Sequence, residues 1–216
     1  MYALDTNAAR HADTAGATIK ELGKYVGEFI QAQDIKTKKG GRGVSFIFKS
    51  QSGQKANLAI YTTGANGDRY QGYDALMAIM TCMQLRGIKP APGKVTRYDF
   101  DTKKEVVEDG TVFPDLHKPI GVLLETEDYE KQDGSLGTRM VLKNVFQAIT
   151  ELTASEILDK KTQPVLLAKM VEGLRHRPLR GRASAQAPSQ DEGFSAPPAG
   201  HPASSGFEDM DQDIPF

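Results

Sequence analysis

VSFIFKSQSGQKANLAIY (44–61) decides the fold. Its first seven residues alternate, with Val44, Phe46 and Phe48 on one side and Ser45, Ile47 and Lys49 on the other. Gln51-Ser52-Gly53-Gln54 is a turn, and the alternation then resumes with Ala56, Leu58 and Ile60 against Lys55, Asn57 and Tyr61. A period of two on both sides of a Gly-bearing connection predicts a hairpin with one buried face. Upstream, LGKYVGEFIQAQDI (22–35) reads as a long first strand in which Gly27 permits a bend or bulge. TKKGGRG (37–43) is a basic, glycine-rich loop between the two.

Downstream the period changes. In GYDALMAIMTCMQLR (72–86), Leu76, Ile79, Met80 and Met83 recur at helical spacing, and Gly87 with Pro90 ends the helix. Strand signals return in KVTRYDF (94–100) with EVVEDGTVF (105–113), and in PIGVLLETEDY (119–129) with TRMVLKNVFQ (138–147). The second of these pairs is joined through an Asp133-Gly134 turn signal. Thr153-Ala154-Ser155-Glu156 has the form of a capping box opening a short helix, and Pro164 opens another through about Leu174. Three strands, a helix and further strands is the order of the OB fold, a five-stranded barrel with its helix between strands three and four. The expected class is therefore mainly β: an OB-like barrel with one such helix, short C-terminal helices and a disordered acidic tail.

Net charge is −1, but its distribution is uneven. From Ala183 onward there is no Lys or Arg and there are six acids. Residues 1–182 hold all 27 basic residues and the other 22 of the 28 acids, a net of +5. A basic body with an acidic tail suggests a polyanionic partner for the body, with the tail as tethered competitor or separate hook. Five segments follow: an arm at 1–16, an OB-like strand-binding domain at 17–150, a helical extension at 151–176, a linker at 177–206 and an acidic tip at 207–216. The linker is Ala, Pro, Ser, Gly and Gln with few large apolar side chains, a composition that favours disorder. A flexible chain of that length spans about 30 Å root-mean-square. The short helices have three open roles: bracing the barrel, self-association, or extending the path of a bound strand.

The tip reads FEDMDQDIPF (207–216). Asp209, Asp211 and Asp213 precede Ile214, Pro215 and Phe216, so two large apolar groups follow a run of acids. A tail that only adds solubility explains the acids but not the apolar pair. Docking into a pocket with a basic rim on another protein explains both. This segment resembles the acidic tip of bacterial single-stranded DNA-binding proteins, in which several Asp precede Ile-Pro-Phe. It departs from that pattern at Met210 and Gln212, where the family often has further Asp. The body, roughly 17–147, is similar to the phage or prophage type of the same family. The resemblance implies a protein that coats single-stranded DNA in the cytoplasm of a bacterial cell or phage-infected host. It further implies recruitment of replication, recombination and repair proteins through the tip.

Strand binding needs cations for the phosphates and flat faces for the bases. The candidate cations are Lys36, Lys38, Lys39, Arg42, Lys49, Lys55, Arg69, Arg97, Arg139 and Lys143. There is no Trp, so stacking falls to Tyr and Phe. Tyr61 is the first candidate, because it faces away from Leu58 and Ile60 and shares its side with Lys55; Tyr98, beside Arg97, is the second. Phe46 and Phe48 read as core. The KKGGRG loop lacks the Gly-Lys-Ser/Thr ending of a phosphate-binding P-loop. It is either a mobile basic turn or a clamp over backbone phosphates.

Catalysis is not expected. Asp99 and Asp101, and the group Glu125, Glu127 and Asp128, have the pairing that Mg²⁺-dependent nucleases use, but both sets fall at strand ends where acids are commonly just solvated. The four histidines are scattered, and one cysteine, Cys82, allows neither an intramolecular disulfide nor zinc spacing. No metal, cofactor or membrane contact is expected. Two other functions fit the same features: a recombination mediator or strand-annealing protein, and a protein adaptor that binds no DNA.

Overall fold

The computed structural model describes residues 18–99, 104–131 and 133–179. The arm at 1–16, the linker beyond residue 179 and the tip with Asp209, Asp211, Asp213, Ile214, Pro215 and Phe216 lie outside the described residues. Seven strands make one antiparallel sheet: β1 (Gly23–Lys36), β2 (Arg42–Ser50), β3 (Lys55–Thr63), β4 (Ala91–Asp99), β5 (Lys104–Val112), β6 (Pro119–Glu130) and β7 (Leu136–Phe146). Helix α1 (Gln71–Cys82) lies between β3 and β4, a 3-10 turn (Pro114–Leu116) precedes β6, and two short helices follow, α2 (Ala154–Leu158) and α3 (Leu166–Glu172).

The long first strand organises the sheet. Its first half, Gly23 to Glu28, pairs with β6, while Gly27 to Lys36 pairs with β2. The register with β2 shifts between Phe29 and Gln31, so the bulge falls on Ile30 and not on Gly27. Gly27 has a different reason to be glycine: a Cβ there would lie 2.0 Å from the Lys49 carbonyl oxygen. The strands cross too closely for any side chain.

The alternation in β2 and β3 has the expected result. Val44, Phe46, Phe48, Ala56, Leu58 and Ile60 are buried. Phe29 packs against Phe46 with ring centroids 4.4 Å apart and against Phe48 at 6.0 Å, nearly edge to face. Each such ring contributes about 1.5–3 kcal/mol through burial. Leu76, Ile79, Cys82 and Met83 of the α1 stretch, and Ile120, Val122 and Leu124 of β6, complete this core. Burial pushes the Cys82 thiol up to about 12, an inert core residue. A second, smaller cluster forms on the opposite face of β6, where Leu123 and Phe146 are covered by Leu167, Met170 and Leu174 from α3 and its end.

β3 and β7 are the two strands that would seal the sheet into a ring. Their chain directions are parallel, since each step β3-β2-β1-β6-β7 is antiparallel. They approach within 8 Å between Cα atoms but no ladder joins them, and α1 packs against both. The hairpin of β4 and β5 departs furthest from a compact barrel. It meets β1 at one ladder position, Gln33 opposite Val112, and otherwise projects as a two-stranded arm with mostly exposed residues.

Candidate nucleic-acid interface

The outer face of β2 and β3 carries four directly opposed pairs. From the turn upward these are Lys49 with Lys55, Ile47 with Asn57, Ser45 with Ala59, and Gly43 with Tyr61. Like charges directly opposite each other cost stability, so the lysine pair is unfavourable for the sheet itself. Glu28, opposite Lys49 on β1, offsets part of that cost. Ser45, Ala59 and Gly43 leave a low floor between the lysines and Tyr61. Gly43 is required by the backbone, because a Cβ would sit 2.4 Å from the Ile60 carbonyl oxygen. Lys55 and Tyr61 are six positions apart on β3, roughly 20 Å at strand rise.

Tyr61 is half-buried at the top of this face. The first turn of α1 lies directly against its backbone, where a Cβ on Gly72 would come within 2.2 Å of the Tyr61 carbonyl oxygen. Burial raises the Tyr61 phenol above its ordinary value, and the positive charge of Arg139 acts in the opposite direction. β7 lies beside β3, and Arg139 is on that strand. Its guanidinium bonds Glu127 through Nη2 at 2.7 Å and Nε at 2.9 Å, and lies over the Tyr129 ring, 5.6 Å from the centroid. Tyr129 was not singled out by sequence. Its signal was its position two residues beyond Glu127, on the outward side of a hairpin strand.

The basic loop is a tight turn. Thr37 N–H donates to Gly41 O at 2.8 Å, Gly41 N–H donates to Thr37 Oγ1 at 2.9 Å, and Gly40 adopts φ +91°. Lys36, Lys38 and Lys39 are exposed on it, and Arg42 is paired with Asp34 at 2.9 Å. The Gly43–Tyr61 register places this loop beside Tyr61. The turn with Lys38 and Lys39, Tyr61 and, from β7, Arg139 thus lie at one end of the face, with Lys49 and Lys55 at the other. Lys36 and Arg42 oppose each other in the ladder, in step with Asp34 and Val44, on the side of the sheet that carries the core. Lys143, on the same side of β7 as Arg139, lies 3.8 Å from Glu125. Arg69 stacks over Tyr73 at 4.3 Å at the start of α1, and Arg97 and Tyr98 are on the projecting arm. These three are not part of the face.

The acidic group at 125–128 is committed to local partners. Glu125, 1% exposed, receives Arg177 Nη2 at 2.5 Å and Nε at 2.6 Å on Oε2, while its Oε1 has no hydrogen-bond partner. Asp128 is held below its ordinary value by hydrogen bonds from Thr138 and then from His176. His176 also meets Thr126 Oγ1 at 2.9 Å through Nδ1. The backbone of Arg177 pairs along the free edge of β6, its N–H donating to Thr126 O at 2.7 Å and its carbonyl accepting from Asp128 N–H at 2.9 Å. Arg177, expected as the first residue of a loose linker, is a docked residue. Asp101 and the side chain of Asp99 lie outside the described residues. Among the described residues, no helix is long and apolar enough to cross a membrane.

No protein-family model matches the chain, and no curated protein matches it.

Proposed function

We propose that this chain is a non-catalytic protein that binds single-stranded DNA across the outer face of β2 and β3. One observation carries the reading: two opposed lysines at one end and the half-buried Tyr61 at the other share the outer face of β2 and β3, with a low floor between them. The lysine pair works against sheet stability, so its role lies outside the sheet. An unpaired strand supplies phosphates for Lys49, Lys55 and the loop cations, and bare base faces for Tyr61. A duplex offers no free base face to Tyr61. In this reading the body is an OB-like barrel. Supporting features are the helix after the third strand, a first strand shared between both halves, and parallel β3 and β7 with α1 against both. The acidic segment with Ile214, Pro215 and Phe216 serves as the hook for replication, recombination or repair proteins.

The test is fluorescence anisotropy with a labelled thymidine 30-mer across a salt series. Affinity should fall steeply with salt, since each neutralised phosphate contributes a slope of about −0.7 for single strands. A flat response removes the electrostatic mechanism, and no binding at low salt removes the function. Tyr61→Ala should weaken binding by about 1–3 kcal/mol. A loss of folding stability without a loss of affinity would instead make Tyr61 a structural residue.

A further inference from the structure

The arm of β4 and β5 rests on the outer side of β1. Gln31 and Gln33 stand opposite Ile47 and Ser45 in the β1–β2 ladder, so both side chains leave the sheet on the face that carries Lys49, Lys55 and Tyr61. Each meets one strand of the arm. The Gln31 amide accepts from Thr96 N–H at 2.7 Å and donates to Thr96 O at 3.2 Å, which fastens the edge of β4. Gln33 Nε2 lies 4.0 Å from the position that a Cβ would take on Gly110 of β5, and Val95 lies against the same position. The face of the arm with Val95, 4% exposed, is therefore the one laid down on β1. The opposite face, with Val107 59% exposed and Tyr98 46% exposed, is turned to solvent.

This placement gives the β2–β3 face a border. The floor between the lysines and Tyr61 is two strands wide, about 10 Å at the usual strand spacing. On its β1 side the arm stands up by roughly one sheet-to-sheet spacing, again about 10 Å. The border offers phosphates little. Lys94 bonds Asp109 at 2.6 Å and Arg97 bonds Glu108 at 3.0 Å, so these two cations are already neutralised, and Lys104 is followed by Glu105. A single strand is narrow enough to lie along the floor with its phosphates against Lys49 and Lys55. A duplex is broader than the floor and meets the ridge, which attracts no phosphate, before its backbone reaches the lysines. Specificity of this kind comes from an obstacle to the wrong partner, not from an added contact to the right one.

We infer that the β4–β5 arm, fastened by Gln31, is the element that excludes duplex DNA from the β2–β3 face. The inference rests on the single-strand reading above, and the two fail in different ways. Anisotropy at 0.1 M salt with a labelled thymidine 30-mer, and with a labelled duplex of the same length, measures both affinities. Two variants loosen or remove the ridge. Gln31→Ala releases the edge of β4. Replacing residues 92–111 with Asn-Gly joins Ala91 to Val112, which are already opposed, through a short hairpin turn. Each should tighten duplex binding about tenfold, the effect of roughly one added phosphate contact at a slope of about −0.9, while thymidine binding changes by less than about twofold. Retained thymidine binding also reports that the rest of the fold is intact. Duplex affinity unchanged in both variants overturns the inference. So does an equal change for both ligands, or a wild-type chain that binds duplex as tightly as single strand. Loss of thymidine binding in Gln31→Ala overturns it as well, by making the arm a contact for the strand. A wild-type chain that binds neither ligand removes the single-strand reading and this inference with it.

Discussion

Replacing Lys55 with glutamate should weaken binding to a thymidine oligomer about twentyfold at 0.1 M salt. The figure follows from counterion release: a slope of about −0.7 per phosphate makes one lost contact worth about fivefold at that salt, and the reversed charge adds a similar factor. The salt slope should fall by about 0.7 to 1.4 in magnitude. The sheet should respond in the opposite sense. Lys55 stands directly opposite Lys49, so the substitution turns a repulsive pair into an attractive one, a gain of up to about 1 kcal/mol. Affinity and melting temperature would then move apart in one variant. Lys49 is a poorer choice for the same test, since glutamate there would face Glu28 on β1. Unchanged affinity for Lys55→Glu would take the lysine pair out of the binding face and leave its cost to the sheet without a compensating role.

Local pattern made the strands and the first helix legible in the sequence. Alternation separated Phe46 and Phe48 from Lys49, and the change of period at Leu76 and Ile79 marked α1. Both signals arise within a few residues and need no knowledge of partners. What was illegible depends on contacts distant in sequence. Gln31 and Thr96 are 65 positions apart, and Arg177 and Glu125 are 52 apart. No periodicity announces that a glutamine amide will cap a strand edge, or that a basic residue beyond the last helix will neutralise a buried acid. The same limit explains the arm. Strand propensity in 94–113 is satisfied equally by a barrel strand pair and by a projecting hairpin, and only the near absence of pairing with β1 distinguishes them. The side of β3 on which Tyr61 lies was legible from parity alone, whereas the contact of Tyr129 with Arg139 depends on the pairing of β6 with β7.

The largest stability effect is expected at Glu156. This side chain is fully buried, yet its carboxylate joins two helices. Oε2 accepts from Thr153 N–H and Thr153 Oγ1, both at 2.9 Å, while Oε1 accepts from Val165 N–H at 2.7 Å and Leu166 N–H at 2.9 Å. Glu156→Ala strands these donors at the starts of α2 and α3. A cost of about 3 kcal/mol is expected, since each unsatisfied buried donor costs about 1 kcal/mol or more. The cover that α3 places over Leu123 and Phe146 should loosen with it. The acid limb of the stability profile gives an independent check. Burial alone would raise the Glu156 carboxyl, but the donors from Thr153, Leu166 and Val165 outweigh it and hold the group down to about 2. A depressed folded-state value stabilises the fold above the unfolded value of about 4.3, and that contribution disappears as pH falls toward the folded value. Thermal melts of wild type and Glu156→Ala should therefore differ most at neutral pH and converge between about pH 4.3 and 2. A gap that stays constant through that range would mean that the carboxylate charge contributes nothing and that the loss comes from packing alone.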